Sequence, residues 1–291
     1  MNMLSEQTAQ VASKLEGGTK VSTANINQTL KTLGQDIRAT RLCDLAMTNI
    51  EFIDRNLYER SCDVRWWATD SSAVDALTKP TAQAFQYASK RLGVILDAYT
   101  VYFDIVICNL DGITIANGRP NQFACQESSQ KETDWFRAAL ATRNGSKFGF
   151  QSLHRSSSLA NGAPVLVYSC TVRQDGEANG RVLGVLGVVF NWESLAQTIV
   201  CNTPISPQEK PFTRTCILDS AGTVLADTSN RLLVEKLKLP DQAELFRIKK
   251  GHLLRDFDGS QQILAHALSP GYEGYATGWH SLIIQRADIA N

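Results

Sequence analysis

The chain has 291 residues, enough for about two domains, each with its own core. With 43% hydrophobic and 20% charged residues it is neither disordered nor fibrous. Its 29 basic and 29 acidic residues cancel without a Lys/Arg cluster, which argues against a nucleic-acid partner.

In chain order, residues 1 to about 22 are polar, carry no signal-peptide pattern and read as a tail. From Ser22 to Leu77 there is no proline and only one glycine, Gly34. Ile26, Leu30, Leu33 and Ile37 recur at helical spacing, followed by Leu42, Leu45, Ile50, Ile53 and Leu57. The apolar stripe shifts between Ile37 and Leu42, where a bend or a change of packing partner is expected. A helix of ~50 residues would be ~75 Å long, which outruns one domain and favours pairing with a second copy. A second helix is predicted over Thr81 to Ala98, after Pro80.

A hairpin follows from Tyr102 to Asn117, then a polar loop (Gly118 to Glu132) and a short helix, Trp135 to Thr142. Strands are predicted over Phe148 to Arg155, Pro164 to Arg173 and Arg181 to Asn191, with turns at Asn161-Gly162 and Asp175-Gly176. Trp192 to Val200 links to a junction marked by Pro204, Pro207 and Pro211. A second hairpin, Arg214 to Asp227, repeats the first: aligning Asn109 with Asp219 superposes Gly112 on Gly222, Ala116 on Ala226 and Asn117 on Asp227. Helices are expected at Arg231 to Leu237 and Asp241 to Ile248, and strands at Gly251 to Phe257, Gln262 to Ser269 and Trp279 to Arg286. The fold class is α+β, a long N-terminal helix followed by two tandem PAS-like modules, each an antiparallel sheet with flanking helices. The expected division is 1–80 for tail and helix, 81–203 for the first module and 204–291 for the second.

The segments Asn56 to Asp70, Tyr102 to Ile107, Gly184 to Trp192 and Gly271 to Ile284 carry a resemblance to double-Cache sensor domains of bacterial methyl-accepting chemotaxis proteins. The resemblance spans about residues 25 to 287 and implies a distal and a proximal Cache module. It also implies a signalling domain outside this chain, while the length of the helix leads to the expectation of a homodimer through it. In Cache modules the ligand lies between the distal sheet and its covering loop and helix. Amino-acid-binding members carry a Tyr, an Arg two residues before a Trp, and an Asp on the last strand. Trp135 matches that Trp and Phe136 the aromatic after it, but Thr133 stands at the Arg position, Ser128 at the Tyr position and Val189 near the Asp. Without the carboxylate clamp and the ammonium acceptor, a zwitterion would be desolvated unpaired, so an α-amino acid is not the expected ligand.

What remains is an aromatic, hydroxyl-rich set: Trp135, Phe136, Phe148, Phe150, His154, Tyr168 and Ser169, with Arg137 and Arg155 at the rim. Phe148 and Phe150 flank Gly149 and so share one strand face. Such a wall suits a small planar or aromatic metabolite. The sequence carries no Gly-x-Ser-x-Gly elbow, His-Glu-x-x-His helix or phosphate loop, and the expectation is a non-enzymatic sensor without cofactor or metal. Two other readings stay open: a ligand-free dimeric spacer that meets a partner protein, and a thiol redox sensor using Cys125 in the polar loop. The 7 cysteines form no Cys-x-x-Cys pair; they are read as reduced and mostly buried, with a Cys201–Cys216 disulfide as the alternative. Reduced thiols point to the cytoplasm, with a periplasmic sensor region of an inner-membrane receptor as the alternative.

Overall fold

The computed structural model describes residues 2–289. A helix, α1 (Asn2–Trp67), is followed by α2 (Ser71–Thr78) and α3 (Ala82–Ala98). The helix thus begins ahead of Ser22, where a tail was expected, and stops at Trp67 instead of running to Leu77. The stop is local chemistry: Asp70 takes extended backbone and its carboxylate accepts from Ser72 N–H at 2.9 Å, capping α2. Asp70 is therefore a helix cap. Thr81 caps α3 in the same manner, its hydroxyl accepting from Ala84 N–H at 3.1 Å.

The distal module contains β1 (Tyr102–Asn109), β2 (Thr114–Asn117), α4 (Asp134–Leu140), β3 (Gly149–Ser156), α5 (Ser157–Ala160), β4 (Ala163–Arg173) and β5 (Val182–Phe190). After the link α6 (Trp192–Cys201), the proximal module contains β6 (Thr213–Leu218), β7 (Val224–Asp227), α7 (Gln242–Arg247), β8 (Lys250–Phe257), β9 (Ser260–Leu268) and β10 (His280–Arg286). Each module is one antiparallel five-stranded sheet, ordered β2-β1-β5-β4-β3 and β7-β6-β10-β9-β8.

The duplicated hairpin keeps its register as well as its residues. Val106, Ile107 and Cys108 pair with Asn117, Ala116 and Thr114, while Cys216, Ile217 and Leu218 pair with Asp227, Ala226 and Val224. Asn109 Oδ1 accepts from the N–H groups of Asp111 and Ile113, and Asp219 Oδ1 from those of Ala221 and Thr223. Gly112 and Gly222 stand at φ +80° and +84°, and an added Cβ at either would come within 2.7 Å of neighbouring backbone. Both turns therefore require glycine, for the positive φ and for the close approach.

Arg231 to Leu237 is not a helix. Val224 N–H donates to Glu235 O, Leu233 N–H to Val224 O and Leu237 N–H to Gly222 O, so the segment lies along the β7 edge. The distal loop does the same through Thr114 to Ser128, Glu127 to Thr114 and Gln130 to Gly112. Backbone groups bonded to a sheet edge are not available for a helical ladder.

The apolar stripe of α1 divides where its spacing shifts. Leu42, Ile50, Ile53 and Leu57 are fully buried, whereas Ile26, Leu30, Leu33 and Ile37 are more than half exposed. Each of the buried four contributes roughly 1.5–3 kcal/mol. The residues they pack against come from both sheets: Ile105, Leu166, Tyr168, Leu186 and Val188 of the distal one, and Ile217, Ile263, Ala265 and Ile283 of the proximal one. Two wholly separate cores were expected. Instead one core runs along α1 beneath both sheets, and each sheet keeps a second, private core on its far face.

The modules also touch directly. Buried Asp54 of α1 accepts from Ser269 Oγ (2.7 Å), Gly271 N–H (2.8 Å) and Thr277 Oγ1 (3.0 Å), tying down the β9–β10 connection. From that connection Tyr275 reaches the distal sheet, where its hydroxyl lies 2.7 Å from that of Tyr168. Trp279 packs edge-on against Trp192 of α6, and Tyr272 edge-on against Tyr58 of α1.

Candidate ligand-binding face of the distal module

Side chains alternate across a strand, so β4 and β5 each serve two faces. Val165, Val167, Val185 and Val189 point away from α1 and form a core with Val106, Cys108, Trp135, Phe136 and Ala139 beneath α4. The Trp135 ring lies over Gly187 of β5; a Cβ there would meet the indole at 2.9 Å. Glycine at the centre of this strand is what lets the indole approach the sheet. Trp135 is held at both ends of its backbone: its N–H donates to Gln151 Oε1 (3.2 Å) and its carbonyl accepts from Ser169 Oγ (2.7 Å). Its indole Nε1 is buried with no acceptor.

Beside it, Asp104 is fully buried at the junction of β1, β2 and the covering loop. Oδ1 accepts from the N–H groups of Ile105, Gly118 and Arg119, and Oδ2 from Asn117 Nδ2 at 2.7 Å. Burial pushes its carboxyl up to about 6, against the lowering effect of those donors. Sequence reading passed over this group, although the buried-strand pattern around an ionisable residue marks it.

The predicted site residues do not converge. Trp135, Phe136 and Ser169 meet beneath α4. Phe148, Phe150 and Tyr168 form an aromatic group on the opposite, α1-facing side, with ring centroids of Phe148 and Phe150 at 5.9 and 5.0 Å from Tyr168. The Phe148–Phe150 face-sharing is correct, but the face is the one that meets α1 and Tyr275. His154 follows a bulge in β3 and its Nδ1 contacts Ser152 O at 2.8 Å. Arg155 and Arg137 are exposed, the first donating to Gly162 O and the second pairing with Glu132. Thr133 Oγ1 donates to Gln130 O, and Val189 is fully buried.

The thiols correct two further expectations. Cys125 is fully buried beneath the covering loop, and burial pushes its thiol up to about 12, so the redox reading loses its exposed thiol. Cys201 is exposed while Cys216 is fully buried, and both are free. Among the described residues no group of three or more His, Cys, Asp or Glu side chains is placed to hold a metal ion.

A Cache domain family model matches residues 3–290. The chain belongs to the Cache domain family. The sensory domain of the *Campylobacter jejuni* chemoreceptor Tlp3 (CcmL) matches at 16% identity and TM-score 0.66, over 89% of this chain and 97% of that one. The ligand-binding domain of *Pseudomonas fluorescens* CtaA, in complex with L-alanine, matches at 14% and 0.58, over 87% and 98%. That of the *Pseudomonas aeruginosa* PAO1 amino acid chemoreceptor PctC, in complex with GABA, matches at 17% and 0.62, over 85% and 99%. No curated protein matches the chain.

Cache membership makes this a sensor domain and not an enzyme. The cytoplasmic assignment is overturned as well, since the matched structures are sensory and ligand-binding domains of chemoreceptors. The thiol argument failed for a physical reason: Cys43, Cys108, Cys125, Cys170 and Cys216 are buried and unreactive, so their being free does not report on the compartment. Among the described residues, no helix is long and apolar enough to cross a membrane.

Proposed function

We propose that the distal module, residues 81–203, binds a small, planar, weakly polar metabolite beneath α4, stacked on Trp135 and Phe136. The observation that carries this is the indole Nε1 of Trp135, a donor without an acceptor in the core between α4 and the distal sheet. A buried unpaired donor costs about 1–3 kcal/mol, which an acceptor on a ligand recovers. The polar groups around it suit a neutral guest: Ser169 and Gln151 are uncharged, while Arg119 is spent on the carbonyls of Leu96, Tyr102 and Phe103. Phe148, Phe150 and Tyr168, on the reverse of the same sheet, carry the effect of occupancy to Tyr275 and α1. Occupancy shifts the conformational equilibrium by its difference in affinity between the two states.

The chain works as a homodimer through α1, with Ile26, Leu30, Leu33 and Ile37 as the seam, and reports to a signalling domain outside this sequence. These four share one helical stripe on the side of α1 away from the buried residues.

A thermal-shift screen with flat neutral metabolites, followed by calorimetry on the hits, tests the pocket. Trp135→Phe keeps the stacking surface and removes the N–H, and a hit is expected to bind about tenfold more weakly to it. Unchanged affinity would move the site off α4. Sedimentation of a Leu30→Glu/Leu33→Glu variant tests the seam, a monomer being the expected result.

A further inference from the structure

A cavity of about 460 Å³ opens at the C-terminal end of α1. Its wall combines the last turn of α1 with the connection before β3 and the β4–β5 turn. Two glycines bring these segments together. A Cβ on Gly176 (φ +71°) would lie 3.2 Å from Thr69 O, and one on Gly145 would lie 3.3 Å from Ala178 Cα. Gly145 N–H also donates to Ala178 O at 2.8 Å, closing one loop on the other.

Two arginines line this cavity, and both carry charge that the protein leaves unneutralised. Arg173 is only 9% exposed, yet its Nε donates to Thr171 Oγ1 and its Nη1 to Gly180 O, both neutral acceptors at 2.9 Å. Arg65 gives its Nε to Ser61 O at 2.7 Å, while its two terminal nitrogens have only a long contact to Ser146 O (3.4 Å) and one to Cys62 Sγ (3.3 Å). Among the described residues neither guanidinium makes an ion pair. A guanidinium offers five N–H donors, and its strongest partner is a bidentate oxyanion. A nearly buried cation with neutral partners alone is an unfavourable arrangement that an anion relieves. The same cavity is walled by Trp66, which is 70% exposed. The next residue, Trp67, is buried against Tyr99 and Tyr102.

We propose that this cavity binds a small carboxylate, its oxygens held by Arg65 and Arg173 and its apolar body lying along Trp66. The site is separate from the α4 face and does not depend on the ligand proposed there. Glu177, exposed on the rim, sets a limit on affinity through its own negative charge.

Isothermal titration with benzoate, and with benzamide as its neutral counterpart, tests the site on the full chain. Benzoate is expected to bind and benzamide not to. Arg173→Gln and Arg65→Gln should each weaken benzoate about tenfold or more, because each removes charge-assisted hydrogen bonds. Circular dichroism of both variants shows which remains folded, and the folded one decides. Glu177→Gln should tighten binding by about threefold, as expected for loss of one solvent-screened like charge. Trp135→Phe should leave benzoate affinity unchanged. No benzoate binding, equal binding of benzamide, or sensitivity to Trp135→Phe with indifference to both arginine substitutions would each overturn the proposal.

Discussion

The two modules share strand order, hairpin register and turn chemistry, yet they fill one equivalent position with opposite charges. In the distal module Asp104 of β1 faces Asn117 of β2. At the equivalent places in the proximal module, Arg214 of β6 faces Asp227 of β7. Arg214 is bidentate to Asp227 and adds Glu235 from the covering segment, so the proximal hairpin is locked to its cover by a charge network. The distal pair is a carboxyl with neutral and backbone donors only, and its cover is held by backbone hydrogen bonds and by Asn117 to Phe123 O. One fold has thus produced a module whose cover is held by ion pairs and another whose cover is held by neutral and backbone hydrogen bonds.

The sharpest way to break that contrast is to cut the proximal network. Arg214→Ala leaves Asp227 fully buried without its cation and should lower stability by about 3 kcal/mol or more. Asn117→Ala removes a single neutral donor from Asp104 and should lower it by about 1–2 kcal/mol. Urea unfolding of the two variants measures the difference, and equal losses would erase the distinction.

The modules should also differ in the sign of their pH dependence. In the proximal sheet His266 Nε2 and His280 Nδ1 lie 2.8 Å apart, with Phe246 of α7 stacked on His280. Burial holds them down to about 3 and about 4; His280 lowers His266 further, and Asp219 pulls His280 partly back. Between pH 6.5 and those values the unfolded chain binds more protons, so stability falls as pH drops through that window. Asp104 acts in reverse: its folded value, about 6, exceeds the 3.8 of a free carboxyl, so its contribution is lost as pH rises through 6. Each proton difference is worth up to about 1.4 kcal/mol per pH unit. Unfolding followed from pH 7.5 to about 4 should therefore show a shallower acid slope in His266→Gln and a steeper one in Asp104→Asn. Identical slopes in both variants and the parent would contradict these environments.

The smallest effect lies where the modules meet. Tyr168→Phe and Tyr275→Phe should each cost about 0.5–1.5 kcal/mol, and the double variant little more than either alone, since both remove one hydroxyl contact. Fully additive losses would show that the contact does not join the modules energetically.

Much of the architecture was legible because its causes are local. Asn109 and Asp219 bind backbone within four residues of themselves, and a positive-φ glycine follows at fixed spacing, so the hairpins could be read directly. The shift of the α1 stripe after Ile37 likewise marks where exposure gives way to burial. The site was legible only in part. Alternation told that Tyr168 and Ser169 face opposite ways, but not which of them α4 covers. Both were assigned to the lining; Ser169 bonds Trp135 on the α4 side, whereas Tyr168 faces α1. Cys125 misled in the same manner: it lies in a mostly polar loop, and only the fold of that loop over the sheet buries it.

By itself the sequence determined most of the elements, their duplication and the family, because periodicity, turn chemistry and caps act over a few residues. The tertiary structure alone decided which strand face meets α1 and which meets α4. It also decided that both sheets share a core, and that Arg65 and Arg173 come to one cavity. Those outcomes depend on contacts between residues far apart in the chain, and no local rule encodes which distant surface a given face will find.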